Sequence, residues 1–194
     1  YGAVLFADVS GFTAMSEMLT AIGKEGAEEI TEIVNNYFTA MLTVNDRIGG
    51  DLLKFGGDAL LIFFNGETGP SKALITGKEM MAAMENFSQV RTSQGVFPLR
   101  MKIGIAVGPI FLARLGTQES MDHVVMGTTL NNMARAEQYA AAGEIIVHRS
   151  VYNATSDSAR YSPLREEFFK FEELRSLEVA AKVSPTKPLL QELA

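Results

Sequence analysis

The sequence predicts an α+β fold: a ferredoxin-like βαββαβ core with extra strand and helix elements. Three observations carry that expectation. Apolar strand patterns and amphipathic helical patterns alternate in the order β-α-α-β-β-α-β-β-α-β, which favours an antiparallel sheet with helices on one face. Residues 51–64 contain two apolar runs joined at Gly56-Gly57, where glycine supplies the positive φ of a tight hairpin. The second run, residues 59–64, is almost continuously apolar, as expected of a strand buried on both faces.

Taken in order, residues 3–9 form a strand that is apolar up to Asp8. Ser10 or Thr13 then offers an N-cap for a helix carrying Met15, Met18, Leu19 and Ile22 at helical spacing. A break at residues 23–26 precedes a longer helix, residues 27–48, whose apolar face includes Ile30, Ile33, Tyr37, Phe38 and Met41. After the hairpin and a loop at 65–70, a helix over 71–90 turns Ala73, Leu74, Gly77, Met80, Met81 and Met84 inward. A second loop covers 91–98. Residues 99–107 read as a strand because Arg100 and Lys102 alternate with Met101, Ile103 and Ile105. Gly108-Pro109 turns the chain into a strand at 110–115, followed by a polar loop at 117–122 and a short strand at 123–126. A helix over 127–139, capped by Thr128 or Thr129, and a strand over 144–148 complete the first 156 residues, which read as one domain. Residues 157–194 read as an extension, either packed on that domain or serving as a linker, with Ser184-Pro-Thr-Lys-Pro188 as its linker-like part.

Composition narrows the function. A chain of 194 residues, 47% hydrophobic, is long enough for one domain with a sizeable core. A formal charge of −6 argues against a nonspecific nucleic-acid footprint, so no nucleic-acid partner is expected. Binding a polyanion would need metal ions or backbone donors. With no cysteines, disulfides and thiolate zinc sites are excluded, and two histidines are too few for a His-rich metal site. No apolar run reaches the roughly 18 residues that span a bilayer, and no signal peptide is visible. The chain opens inside a strand. The expectation is therefore a cytoplasmic catalytic domain cut from a longer protein, with a membrane segment elsewhere left open.

Asp8 and Asp58 each sit at the mouth of an apolar strand, where an ionised carboxylate is costly unless a cation or donors compensate it. The plainer reading is that each caps a turn. Ser10-Gly11-Phe12-Thr13 places a helix N-terminus beside Asp8, and helix amides and dipole favour a phosphate chain. Asn131 and Arg135, four apart, share one helix face.

Three ordered blocks carry a resemblance: Phe6-Ala-Asp-Val-Ser-Gly-Phe-Thr13, Lys54-Phe-Gly-Gly-Asp58 and Gly127-Thr-Thr-Leu-Asn-Asn-Met-Ala-Arg135. Over residues 3 to 150 the chain resembles a class III nucleotidyl cyclase catalytic domain, the adenylate/guanylate cyclase family. The resemblance implies that fold, and conversion of a purine nucleoside triphosphate, ATP before GTP, into the 3′,5′-cyclic monophosphate and pyrophosphate. It implies two divalent metal ions, Mg²⁺ or Mn²⁺, held by Asp8, Asp58 and the Val9 carbonyl. It further implies terminal phosphates on the amides of Gly11, Phe12 and Thr13, the ribose on Asn131, the transition-state phosphate on Arg135 and the purine edge on Lys54. In this family the carboxylates and the Asn/Arg pair come from different subunits, so a dimer is implied. Each residue also has a plainer reading: Arg135 paired with Glu137, Asn131 on the helix surface, Lys54 blunting a strand edge.

One position departs from the pattern. Val124 stands where family members place a polar residue that reads the purine, and valine offers neither donor nor acceptor. In this, and in the longer loop at 116–124, the chain resembles the first catalytic domain of bicarbonate-responsive soluble adenylyl cyclases. The alternative implied is a regulatory domain in which Lys54, Val124 and Arg135 line a bicarbonate pocket, active only as a heterodimer with a second cyclase domain. Retention of Asn131 keeps the homodimer open. Beyond residue 157 the chain departs from the usual family ending.

Overall fold

The computed structural model describes the backbone of residues 1–116 and 121–175, and the side chains of these except 114–116 and 121–123. Its centre is strand β1 (Gly2–Ser10), whose alternate residues serve two different cores. Ala3, Leu5, Ala7 and Val9 face one side and Val4 and Phe6 the other, the period-2 consequence of strand geometry. Strand β1 pairs antiparallel with β3 (Ala59–Asn65) and with β6 (Arg100–Gly108). Strand β2 (Asp51–Gly56) pairs with β3 and closes one edge of the sheet. Its turn has Gly57 at φ 71°, as expected of the glycine pair.

The larger core lies between the sheet and helices α1 (Phe12–Thr20), α2 (Lys24–Ile48), α3 (Gly69–Met84) and α5 (Arg149–Thr155). Helix α4 (Thr128–Tyr139) instead covers the opposite face, where Met133 packs with Val4, Phe63 and Ala106. The expectation of helices on one face is thus corrected. The reason lies in β1 and β6, which carry apolar residues on both faces and so need cover on both. Close approach of α4 depends on Gly104, where a Cβ would lie 2.4 Å from both the Glu137 amide nitrogen and the Met133 carbonyl oxygen.

Strand β9 (Ile145–His148) runs parallel to β6, so the sheet is mixed rather than wholly antiparallel. Residues 159–174, read from sequence as part of an extension, form β10 (Ala159–Arg165) and β11 (Phe168–Leu174) of the same sheet. Strand β11 pairs with β9, giving the order β10-β11-β9-β6-β1-β3-β2. The linker-like 184–188 falls outside the described residues. Residues 91–98 are not a simple loop, since β4 (Val90–Thr92) and β5 (Gly95–Phe97) form a two-stranded ribbon. The helix expected over 71–90 stops at Met84 and passes through a 3₁₀ turn at Glu85–Phe87. Strands β7 (Phe111–Gly116) and β8 (Met121–Met126) make a second ribbon. The loop expected at 117–122 lies outside the described residues except for its end, which belongs to β8.

Candidate active site

Asp8 lies on the α4 face of β1, directly opposite Lys102 of β6. The Lys102 ammonium nitrogen is 3.2 Å from Asp8 Oδ2 and 2.5 Å from Glu137 Oε1 of α4. Glu137 is buried, and its hydrogen bond is the largest influence holding the Lys102 ammonium above the usual lysine range, with Asp8 adding to it. Asp58 closes the β2–β3 turn. Its carboxyl is pushed above the usual range first by burial and further by the Asp8 charge, against a backbone hydrogen bond and the Lys102 charge. The Asp8 charge therefore reaches the Asp58 carboxyl.

The turn is tied to the helical layer. The buried Tyr37 hydroxyl of α2 donates to the Asp58 carbonyl oxygen at 3.2 Å, and Phe38 packs edge-on against Phe55 at 5.0 Å between ring centroids. Burial, with the Asp58 and Asp8 charges behind it, raises the Tyr37 hydroxyl far above its usual range. Strand β1 pairs with β3 only as far as Ala7, while its pairing with β6 continues to Ser10. The flank of Asp8, Val9 and Ser10 that faces the hairpin is left outside the ladder.

Helix α1 begins immediately afterwards, and here the expected caps are corrected. The cap position is Gly11 at φ 95°, with no side-chain cap, because the chain reverses there in a left-handed conformation that excludes Ser10 and Thr13 from capping. A Cβ at Gly11 would stand 2.6 Å from the Pro98 carbonyl oxygen. The first turn, which includes Phe12 and Thr13, has no side-chain cap and contains no acidic residue, as an anion site requires. Helix α4 likewise starts at Gly127 with no side-chain cap, since Thr129 instead donates to the Pro109 carbonyl oxygen at 2.7 Å.

Asn131 and Arg135 are exposed on α4. Among the described residues no ion pair joins Arg135 to Asp8 or Asp58 of the same chain. The Arg135 guanidinium lies over the Phe168 ring at 5.2 Å and opens into a cavity of about 370 Å³ shared with Tyr139, Arg165, Glu166 and Glu167. Arg135 is not paired with Glu137, whose carboxylate is taken by Lys102. Lys54 is exposed on edge strand β2 opposite Leu61, and Val124 is half-buried on β8 opposite Ala113. Lys102, Arg165 and Phe168 were not singled out from sequence as site residues, and Glu137 was named only as a partner for Arg135. The alternation of 99–107 marked Lys102 as polar, but only the register with Asp8 shows what it meets.

Among the described residues no group of three or more His, Cys, Asp or Glu side chains stands together as a metal cage. Two carboxylates beside an open strand flank would suit a hard cation that completes its shell with backbone, water and phosphate oxygens. The residues fit such an ion.

Fold and site together define a class III nucleotidyl cyclase domain. The pattern of the adenylate and guanylate cyclase catalytic domain family matches residues 2–191, and the chain belongs to that family. The match runs through the segment beyond residue 157, where the motif resemblance had stopped. Adenylate cyclase type 10 of Oryctolagus cuniculus is 34% identical over 150 residues, 75% of this chain, and an adenylate cyclase of Anabaena cylindrica is 30% identical over 138 residues, 69% of this chain. The chain spans only 9% of the first of these relatives and 26% of the second. The adenylyl cyclase CyaB from P. aeruginosa has a TM-score of 0.76 at 26% identity, covering 89% of this chain and 94% of that one. The guanylyl cyclase Cya2 has a TM-score of 0.75 at 26% identity, covering 95% of this chain and 96% of that one. Among the described residues no helix is long and apolar enough to cross a membrane.

Proposed function

We propose that this domain converts ATP to cyclic AMP and pyrophosphate at a site completed by a second cyclase domain. The observation that carries the reading is the separation within one chain of two chemically complementary halves. The Asp8 charge reaches the Asp58 carboxyl at the β2–β3 turn, whereas Arg135 stacks on Phe168 and forms no ion pair with either among the described residues. A second subunit offering its own Asn131 and Arg135 would bring the halves together, and two copies would make two equivalent sites.

In this reading the ribose 3′-oxygen bonds to the α-phosphorus, the bond from that phosphorus to the bridging oxygen breaks, and pyrophosphate leaves while the 3′-proton passes to water. Asp8, Asp58 and the Val9 carbonyl would hold two Mg²⁺ or Mn²⁺ ions, which would supply Lewis acidity toward the hydroxyl and neutralise phosphate charge. The amides of Gly11, Phe12 and Thr13 hold the terminal phosphates at the start of α1. Asn131 orients the ribose and Arg135 meets charge developing on the transferred phosphate. Arg165, sharing a cavity with Arg135, adds positive charge on the same side. Lys54 contacts the purine edge. Preference for ATP rests on the similarity to adenylate cyclase type 10 and the Anabaena cylindrica adenylate cyclase.

A second reading has its own observation. Val124, half-buried on β8, offers no hydrogen bond to a base, which favours a regulatory pocket with Lys54 and Arg135 that takes a small anion such as bicarbonate in a heterodimer. Product formation separates the two. The purified chain, given Mn²⁺ with ATP or GTP at rising protein concentration, is expected to form cyclic AMP faster than cyclic GMP, second-order in protein. A folded chain that binds nucleotide but yields neither product would favour the regulatory reading.

A further inference from the structure

Glu137 is a buried carboxylate on α4 whose cation comes from another element, β6, and that cation also touches Asp8. The arrangement is a chain, Glu137–Lys102–Asp8, running from the interior to the open strand flank. A lone ammonium beside a metal carboxylate would repel the metal, whereas one already neutralised by a buried glutamate acts as a hydrogen-bond donor of little net charge. Lys102, Gly104 and Ala106 share the α4 face of β6 by strand alternation. The missing side chain at Gly104 lets α4 come close enough for Glu137 to reach Lys102.

We propose that Lys102, held by Glu137, is a positioning residue for Asp8: it fixes one carboxylate oxygen and presents the carboxylate to the metal. The inference rests on the reading of Asp8 as a metal ligand. Glu137 acts only through Lys102, so the pair behaves as one unit.

The test is Mn²⁺ binding to the 194-residue chain with 3′-deoxy-ATP present, followed by loss of the free-ion EPR signal, with thermal unfolding of each variant measured alongside. Removing an outer-shell partner of a metal ligand typically weakens affinity about tenfold or more, and K102M is expected to raise the Mn²⁺ Kd by about that factor. K102R, which keeps the charge and the donors, is expected to recover most of the loss. E137Q is expected to weaken binding alone, yet to add nothing in the K102M background. If E137Q fails to fold, the K102M and K102R comparison still decides. Unchanged or tighter Mn²⁺ binding by K102M would overturn the proposal, since Lys102 would then be a bystander or a competitor for Asp8. Full additivity of the two substitutions would also overturn it. The D8N control separates the layers: loss in D8N with none in K102M refutes this inference alone, while parent-like binding by D8N refutes the metal reading itself.

Discussion

Asp8 and Asp58 were legible as functional candidates because each ends an apolar strand, where a charge needs a reason. In the structure burial and the Asp8 charge act on Asp58, and a single lysine bridges Asp8 to the interior. Arg135 was legible from motif spacing. Its resting place over Phe168 was not, because the stretch around residues 166–177 mixes charges and aromatics without a clean period. Arg135 has no carboxylate partner within salt-bridge distance among the described residues and lines an open cavity, so it is free to serve a ligand. Arg135→Ala is accordingly expected to lower kcat by roughly 10²- to 10³-fold, the usual loss for a transition-state donor, with a much smaller change in KM. Steady-state kinetics on ATP check this; a rise in KM alone would make Arg135 a ground-state contact.

At the scale of elements, the strand and helix order was readable through β9, apart from the β4–β5 ribbon that was read as a loop, because periodicity is local. Three features were not readable. The caps of α1 and α4 are glycines in unusual conformations, and Thr129, beside the α4 cap, instead satisfies Pro109. The side of the sheet that α4 takes depends on Gly104, whose role appears only once β6 and α4 meet. Strand β10, with Pro163 and two register shifts, lacks clear alternation and was absorbed into an extension. Gly104→Ala is expected to destabilise the fold by about 1–3 kcal/mol, because its methyl would meet backbone atoms that cannot rotate away. Urea unfolding measures this, and the same variant should lose metal-dependent activity as α4 is displaced. A Gly104→Ala protein of parental stability would show that α4 sits less tightly on β6 than described.

For the whole molecule, the family and fold followed from sequence, while the completeness of the site did not. In the proposed reading the carboxylates of β1 and the β2–β3 turn form one half-site, and Arg135 of α4, stacked on Phe168 of β11, belongs to the other. Exposed apolar side chains lie at the β2–β3 turn and on the β7–β8 ribbon, at Phe55, Phe111 and Met126, and an unpaired domain gains little from leaving them in water. The central claim is that the working site is shared between two chains. Mixing inactive Asp58→Ala and Arg135→Ala proteins tests it most directly. In a mixed dimer one of the two sites has both intact halves, so the account predicts that mixing restores cyclic AMP synthesis to a fraction of the parental rate. Folded variants that associate yet stay inactive when mixed would contradict it.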